Sequence, residues 1–265
     1  MSAQKEDKML DKINKVLNKL VGASSRAYYN TAIIVAAGAG TRMGDGIEGT
    51  KQMFSLCGMP VVARTIAAFE ACDDIDEIII GVRQDEMPAY QNFIREYDFK
   101  KITHITEGGE TRQDTVMACL EKVSEKTDYI TIHDGVRCLV TPEMIREVAT
   151  AAYRYGAATA AHRAKDTVKL SDKNGFIEKT TDRDQVYLAG TPQIFKADIY
   201  RAAAYSAKED GFSGTDDNML AERWNFKIRL CDVGYENIKI TTQEDLFVAE
   251  AILKARAERE EKTAK

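Results

Sequence analysis

The chain has 265 residues, 44% of them apolar and 30% charged, with a formal net charge of -5. That length suffices for one large α/β domain or two small ones. The acidic balance excludes broad coating of nucleic acid, which needs a basic surplus or stripe, so an anionic ligand must be gripped by a few placed cations and backbone amides.

Met9, Leu10, Ile13, Val16, Leu17, Leu20 and Val21 recur at helical spacing with lysines between them. Residues 1–30 therefore read as an amphipathic helical extension. It lacks the continuous apolar core of a signal peptide, and Asp7 and Asp11 do not suit a transit peptide. Packing on the body or on a partner subunit is expected, ahead of attachment to a membrane surface. No apolar run approaches the ~20 residues of a membrane span, so no membrane partner is expected. Cys57, Cys72, Cys119, Cys138 and Cys231 are scattered without a CxxC pair, and the chain has only three histidines. Zinc-type spacing is absent, and the cysteines read as reduced thiols of a cytoplasmic protein.

Short β-rich runs then alternate with helical stretches. Residues 31–37 (TAIIVAA) read as a buried strand and 60–71 as a helix. Residues 76–82 form a second strand, with helix to about residue 97, and 102–106 form a third. Residues 112–123 read as amphipathic helix, 128–133 as strand, 142–155 as helix and 157–162 as strand. Such alternation predicts a parallel sheet covered on both faces. The pattern breaks at 166–170 and 176–180, two β-like runs around Asn174-Gly175, which predict a protruding hairpin within an arm of about residues 163–190. Helices near 196–207 and 216–223, a strand at 227–231 and a helix from residue 242 complete a domain over 31–255. Residues 256–265 read as a charged tail that frays.

The run Ala36-Ala37-Gly38-Ala39-Gly40-Thr41-Arg42-Met43 directly follows the first strand. Glycine-rich turns at a strand's carboxyl end let backbone amides approach phosphates. A dinucleotide fingerprint would need Gly or Ala where Met43 stands, with an acidic residue closing a second strand; a P-loop would need Gly-Lys-Ser/Thr where the chain has Thr50-Lys51-Gln52. What remains is a loop with two cations, Arg42 and Lys51, suited to a triphosphate and to charge building at its α-phosphorus. A flexible surface loop with incidental charges is the bland alternative.

The run AAGAGTRM with the following KQ resembles the nucleotide-binding signature of the cytidylyltransferases. The chain is similar, over roughly residues 31–255, to the 2-C-methyl-D-erythritol 4-phosphate cytidylyltransferase family of the non-mevalonate isoprenoid pathway. Seven segments agree in order: EGGETRQDTV at 107–116, HDGVR at 133–137, DTVK at 166–169, TTDR at 180–183, TPQ at 191–193, TDD at 215–217 and NIKITTQEDL at 237–246. The resemblance implies a Rossmann-like, three-layer nucleotidyltransferase fold whose hairpin arm serves a homodimer. It implies transfer of CMP from CTP to methylerythritol phosphate, with release of pyrophosphate. The attacking phosphate oxygen is already largely ionised near neutral pH, since the second phosphate pKa is about 6, so no general base is required. Catalysis is then positioning and charge stabilisation.

By position, the resemblance gives Arg42, Lys51, Arg183 and Lys239 catalytic roles. It places Ala36, Ala37, Gly38, Gly40, Gly109, Glu110, Arg112, Thr115 and Asp134 at the nucleotide. Arg137, Asp166, Thr167, Thr191 and Thr215 fall to the phosphorylated polyol. Asp134 also holds a Mg²⁺ or another divalent cation, as one carboxylate plus phosphates suits a hard, water-retaining ion. Thr167 and Arg183 are expected to act across a two-fold dimer with exchanged arms. The bland readings are a capping Asp134, a solvated Lys239 and an Arg183 paired with Asp182 or Asp184; His133 reads as structural. The chain departs from the family at Thr50 and Cys138, where Pro is usual, at Glu110, often Asp, and in a longer stretch between Arg42 and Lys51. Ribitol 5-phosphate is the alternative acceptor, preferred less for the DTVK run and Arg183. A non-catalytic nucleotide-binding protein and an NAD-linked reductase are the alternatives of other classes.

Overall fold

The computed structural model describes residues 28–38 and 50–263. The expected N-terminal helix, Gly40 and Arg42 lie outside the described residues. β1 (Asn30–Val35) leads into the glycine-rich stretch, and a small hairpin of β2 (Ser55–Leu56) and β3 (Met59–Pro60) follows it. Then come α1 (Val61–Glu70), β4 (Glu77–Val82), a 3-10 turn (Gln84–Glu86), α2 (Met87–Glu96), β5 (Ile102–Glu107), α3 (Arg112–Leu120), β6 (Tyr129–Asp134), α4 (Pro142–Tyr155) and β7 (Ala157–Arg163). The arm carries β8 (Lys169–Ser171), β9 (Ile177–Thr180) and a 3-10 turn (Arg183–Gln185). β10 (Tyr187–Lys196), α5 (Ala197–Glu209), α6 (Asn218–Glu222), β11 (Arg229–Asp232) and α7 (Gln243–Thr263) close the chain.

Seven strands form one sheet in the order β11-β7-β10-β6-β1-β4-β5. β1 pairs in parallel with β4 and β6, and β4 with β5. Only β10 runs against its neighbours, wedged between β6 and β7. The layers follow from the two-residue period of the strands. Ile33 and Ile79 face α3, α5 and α6 through Val116, Leu120, Tyr200 and Leu220. Ala32, Ile34, Ile78 and Ile80 face the opposite way, onto Ile66 and Phe69 of α1 and Tyr90 and Phe93 of α2. Strands buried on both faces explain the near-continuous apolar runs, and this is the three-layer, mostly parallel α/β fold expected.

Three expectations need correction. The sequence reading left out β10, whose Gly190-Thr191-Pro192 interruption coincides with a register shift between Ala189 and Gln193; proline and glycine hide a strand from pattern reading. It also left out the β2–β3 hairpin. The expected fraying of residues 256–265 is not seen among the described residues: α7 continues to Thr263. It is held back onto the body by Arg256 Nε and Arg259 Nη2, which donate to Glu236 at 2.8 and 3.1 Å.

The hairpin around Asn174-Gly175 is present, with Lys169 opposite Thr180. Gly175 has φ 87°, the left-handed turn position that glycine adopts without steric cost. Asp172 Oδ1 accepts from the backbone N–H groups of Asn174 and Phe176, both at 2.9 Å. All of 169–180 is exposed, including Leu170, Ile177 and Phe176, the last at 73%.

Candidate active site

A cleft of about 640 Å³ opens at the carboxyl ends of β1, β4, β5 and β6, where open α/β sheets place ligands. Its walls include Ala37, Gly38, Lys51, Gly109, Glu110, Arg112, Thr115, Asp134 and Lys239. Ala36 is buried at the cleft's base, and its carbonyl accepts from Gln52 Nε2 at 3.0 Å. The same nitrogen donates to the Gly38 carbonyl at 2.8 Å, so Gln52 staples the start of the glycine-rich stretch to the residue after Lys51.

The second wall is a glycine turn leading into α3. Thr111 caps that helix by accepting from Asp114 N–H, and Asp114 returns the bond to Thr111 N–H, a capping box. Thr115 Oγ1 donates to the Thr111 carbonyl at 3.0 Å and accepts from Gly109 N–H at 3.2 Å. The turn has no room for side chains: a Cβ on Gly108 would sit 2.4 Å from Ala37 Cβ, and one on Gly109 would sit 2.3 Å from Asp114 Cβ. Backbone therefore faces the cleft from both walls.

At the floor, Asp134 ends β6 and is 7% exposed. Its Oδ1 accepts from Arg112 Nε at 2.9 Å, its Oδ2 lies 2.9 Å from Lys239 Nζ, and Arg137 Nε stands 3.7 Å from Oδ2. Burial pushes this carboxyl up, but Arg112 and Lys239 outweigh it and hold it well below the usual carboxylate range. Three cations thus surround one anion. The Lys239 segment is fastened to the β6 loop by Ile240 N–H, which donates to the Val136 carbonyl at 3.0 Å, and by Arg137 Nη1, which donates to the Asn237 carbonyl at 2.9 Å.

Thr191 and His133 support Asp134 from below. Thr191 Oγ1 accepts from Asp134 N–H at 3.0 Å and lies 3.1 Å from His133 Nδ1, while His133 Nε2 lies 3.3 Å from the Arg137 carbonyl. A carbonyl only accepts, so Nε2 carries the proton and Nδ1 accepts from Thr191. His133 is fully buried against Phe69, and burial pulls its pKa down to about 3. The ring is neutral and fixed, a support rather than a ligand.

Among the described sequence candidates, Asp166, Thr167, Arg183 and Thr215 do not line the cleft in a single chain. Asp166, Thr167 and Arg183 are exposed on the arm, where Arg183 Nη1 donates to the Lys165 carbonyl at 3.2 Å. Thr215 is exposed, and its hydroxyl lies 3.1 Å from Met219 Sδ. Arg137 and Thr191 stand beside and behind Asp134. Sequence reasoning left out Gln52, the Arg83-Gln84-Asp85 rim and Asp217, which accepts from Arg112 Nη1 at 2.6 Å. Gln52 is adjacent in sequence to Lys51, and Asp217 belongs to the same TDD segment as Thr215, which are the signals that point to them.

Among the described residues, no three His, Cys, Asp or Glu side chains cluster as a metal cage. No described helix is long and apolar enough to cross a membrane.

A family model for 2-C-methyl-D-erythritol 4-phosphate cytidylyltransferase (IspD) matches residues 30–255. The chain belongs to this family. Its relatives include the enzyme of that name from Caldanaerobacter subterraneus subsp. tengcongensis, 41% identical over 84% of this chain and 98% of the relative. The one from Pelotomaculum thermopropionicum is 40% identical over 85% of this chain and 94% of its own length. Among solved structures, 4-diphosphocytidyl-2C-methyl-D-erythritol synthase from Anaerococcus prevotii superposes with a TM-score of 0.76 at 30% identity, over 86% of this chain and 99% of the other. The Thermus thermophilus 2-C-methyl-D-erythritol 4-phosphate cytidylyltransferase gives 0.69 at 26% identity, over 84% and 98%. IspD members are cytidylyltransferases, so the cleft belongs to a nucleotidyltransferase fold.

Proposed function

We propose that the cleft binds CTP and transfers its CMP to 2-C-methyl-D-erythritol 4-phosphate, a step of isoprenoid biosynthesis. Family membership supports the reaction. The observation that carries it to these residues is the gathering of Lys239, Arg112 and Arg137 around Asp134, in a cleft that Lys51 also lines, beside two walls that present backbone. The acceptor's phosphate oxygen forms a bond to the α-phosphorus, and the bond from that phosphorus to the β-phosphate's bridging oxygen breaks, releasing pyrophosphate. The nucleophile arrives ionised, which agrees with a floor histidine that is neutral and enclosed. Lys51 and Arg42 stabilise the charge on the transferring phosphoryl group, and Lys239 positions the acceptor phosphate. The glycine turn at 108–109 and Thr115 take the cytidine.

A divalent cation fits this donor set only as an ion held largely by phosphates. Among the described residues Asp134 is the carboxylate of the floor, and each of its oxygens already accepts from one cation, with a lone pair remaining. Asp134 would hold Mg²⁺ together with triphosphate oxygens and water, and the bound ion would neutralise phosphate charge. The exposed Leu170, Phe176 and Ile177 support a homodimer in which the arm carries Thr167 and Arg183 toward a partner's cleft. Five unpaired cysteines support a cytoplasmic location.

The test is pyrophosphate release by the purified chain given CTP, Mg²⁺ and methylerythritol phosphate, with ribitol 5-phosphate as the competing acceptor. Release with methylerythritol phosphate is expected. No release with either alcohol overturns the assignment.

A further inference from the structure

Arg112 enters the cleft from the first turn of α3, yet its guanidinium is held from two sides. Nε donates to Asp134 Oδ1 at 2.9 Å, and Nη1 donates to Asp217 Oδ2 at 2.6 Å. Asp217 is 2% exposed, immediately precedes α6 and does not line the cleft. Its other oxygen, Oδ1, accepts from the Tyr200 hydroxyl at 2.6 Å, and Tyr200 is fully buried on α5. Asp217 N–H donates to Gln193 Oε1 at 3.0 Å, and Gln193 lies on β10 opposite Ile132 of β6. Groups on α5 and β10 thus fix one carboxylate, which in turn grips an arginine of the cleft.

A guanidinium is planar, and two carboxylates engaged through Nε and Nη1 define its plane. With Asp134 alone, the group keeps a single anchor and can pivot about it. Nη2 of Arg112 is buried and has no hydrogen-bond partner among the described residues, so the grip leaves that whole nitrogen unspent. Tyr200 occupies Oδ1 of Asp217, which leaves Oδ2 as the oxygen that meets Arg112. Asp217 also places a second anion behind Arg112, so Asp134 does not face the full pull of that cation.

Resting on the reading of this cleft as a CTP site, we propose that Asp217, oriented by Tyr200, is a positioning residue that sets the plane of Arg112 toward the nucleotide. It touches no substrate itself. Its effect passes entirely through Arg112, which separates it from a residue that only stabilises the fold.

The experiment is a double-mutant cycle on the full chain. Asp217→Asn, Arg112→Ala, their combination and Tyr200→Phe are compared for CTP affinity by calorimetry, for the KM of each substrate, and for melting temperature. Asp217→Asn, which removes the charge and sets an N–H₂ against either Arg112 or the Tyr200 hydroxyl, is expected to weaken CTP binding by about tenfold, while the KM of the phosphorylated alcohol changes by less than about twofold. Tyr200→Phe should act in the same direction and less, and it keeps the test open should Asp217→Asn fail to fold. In the Arg112→Ala background, Asp217→Asn should produce no further loss of CTP affinity. Additive losses in that background, equal losses for both substrates, or unchanged CTP affinity overturn the proposal. If the native chain neither binds nor turns over CTP, the reading of the cleft falls and takes the proposal with it. Native turnover with an additive cycle removes the role of Asp217 alone.

Discussion

Replacing Asp134 with Asn removes the one carboxylate that Arg112, Arg137 and Lys239 share among the described residues, and leaves Arg112 with Asp217 alone. Arg137, Arg112 and Lys239 have side chains 15%, 28% and 36% exposed, so water screens their mutual repulsion only in part. The amide also sets an N–H₂ against a donor, whichever way it turns between Arg112 and Lys239. Removing one partner of a fully buried ion pair costs about 3–5 kcal/mol; the partial exposure here places the loss at about 2–3 kcal/mol. For a domain of this size that lowers the melting temperature by about 4–12 °C. Thermal unfolding of both chains at pH 7 in EDTA measures it. The pH dependence has a definite sign. The folded carboxyl titrates below its unfolded value of about 3.9, so its stabilisation is present above that pH and lost as pH falls through the folded value. The gap between the native chain and Asp134→Asn should hold above about pH 5 and narrow progressively as pH falls below about 4. Pyrophosphate, which supplies anionic charge without a carboxylate, should raise the variant's melting temperature more than the native chain's. Equal melting temperatures at pH 7 would refute this account of the floor.

Lys51→Ala and Arg42→Ala should each lower turnover by about 10²-fold or more, as for lost transition-state charge stabilisation; a change confined to CTP affinity, read from initial rates, would remove that role. Gly109→Ala must displace Asp114, whose Cβ stands 2.3 Å from the added carbon, and so break the capping box of α3; a loss of about 1–3 kcal/mol in urea unfolding is expected. His133, fully buried with its pKa pulled down to about 3, stays neutral in the folded chain while the unfolded chain takes up a proton near pH 6.5. Stability should therefore decline as pH falls below about 6.5, and His133→Asn should flatten that decline in urea titrations between pH 4 and about 6.5.

Much of the fold was legible because its elements carry local signals. α4 is the clearest case: its expected bounds coincide with those observed, since Thr141 caps its start, Pro142 takes the first turn and Gly156 ends it at φ 88°. The doubly buried strands announced themselves as Ile-rich runs. β10 did not, because its middle carries Gly190-Thr191-Pro192 and its partners lie far away in sequence. The site divides in the same way. The glycine-rich stretch, the glycine turn at 108–109 and Asp134 sit in recognisable segments at strand ends. Asp217 touches Arg112 across a long stretch of chain, and no spacing rule reports such a contact. Thr215 stood out in the TDD segment by resemblance, yet in the folded chain it is its neighbour Asp217 that turns inward.

The continuation of α7 changes what the charged end of the chain is for. Arg256 and Arg259 lie past residues 30–255, the span shared with the family, and both grip Glu236, just before the segment that carries Lys239. Residues that look expendable on charge and position tie the end of α7 to the stretch of chain just before Lys239. Proteolytic trimming or truncation at residue 255 would leave the catalytic fold intact on paper while loosening one wall of its floor. A boundary chosen from family coverage alone therefore cuts through a helix that packs back onto the body.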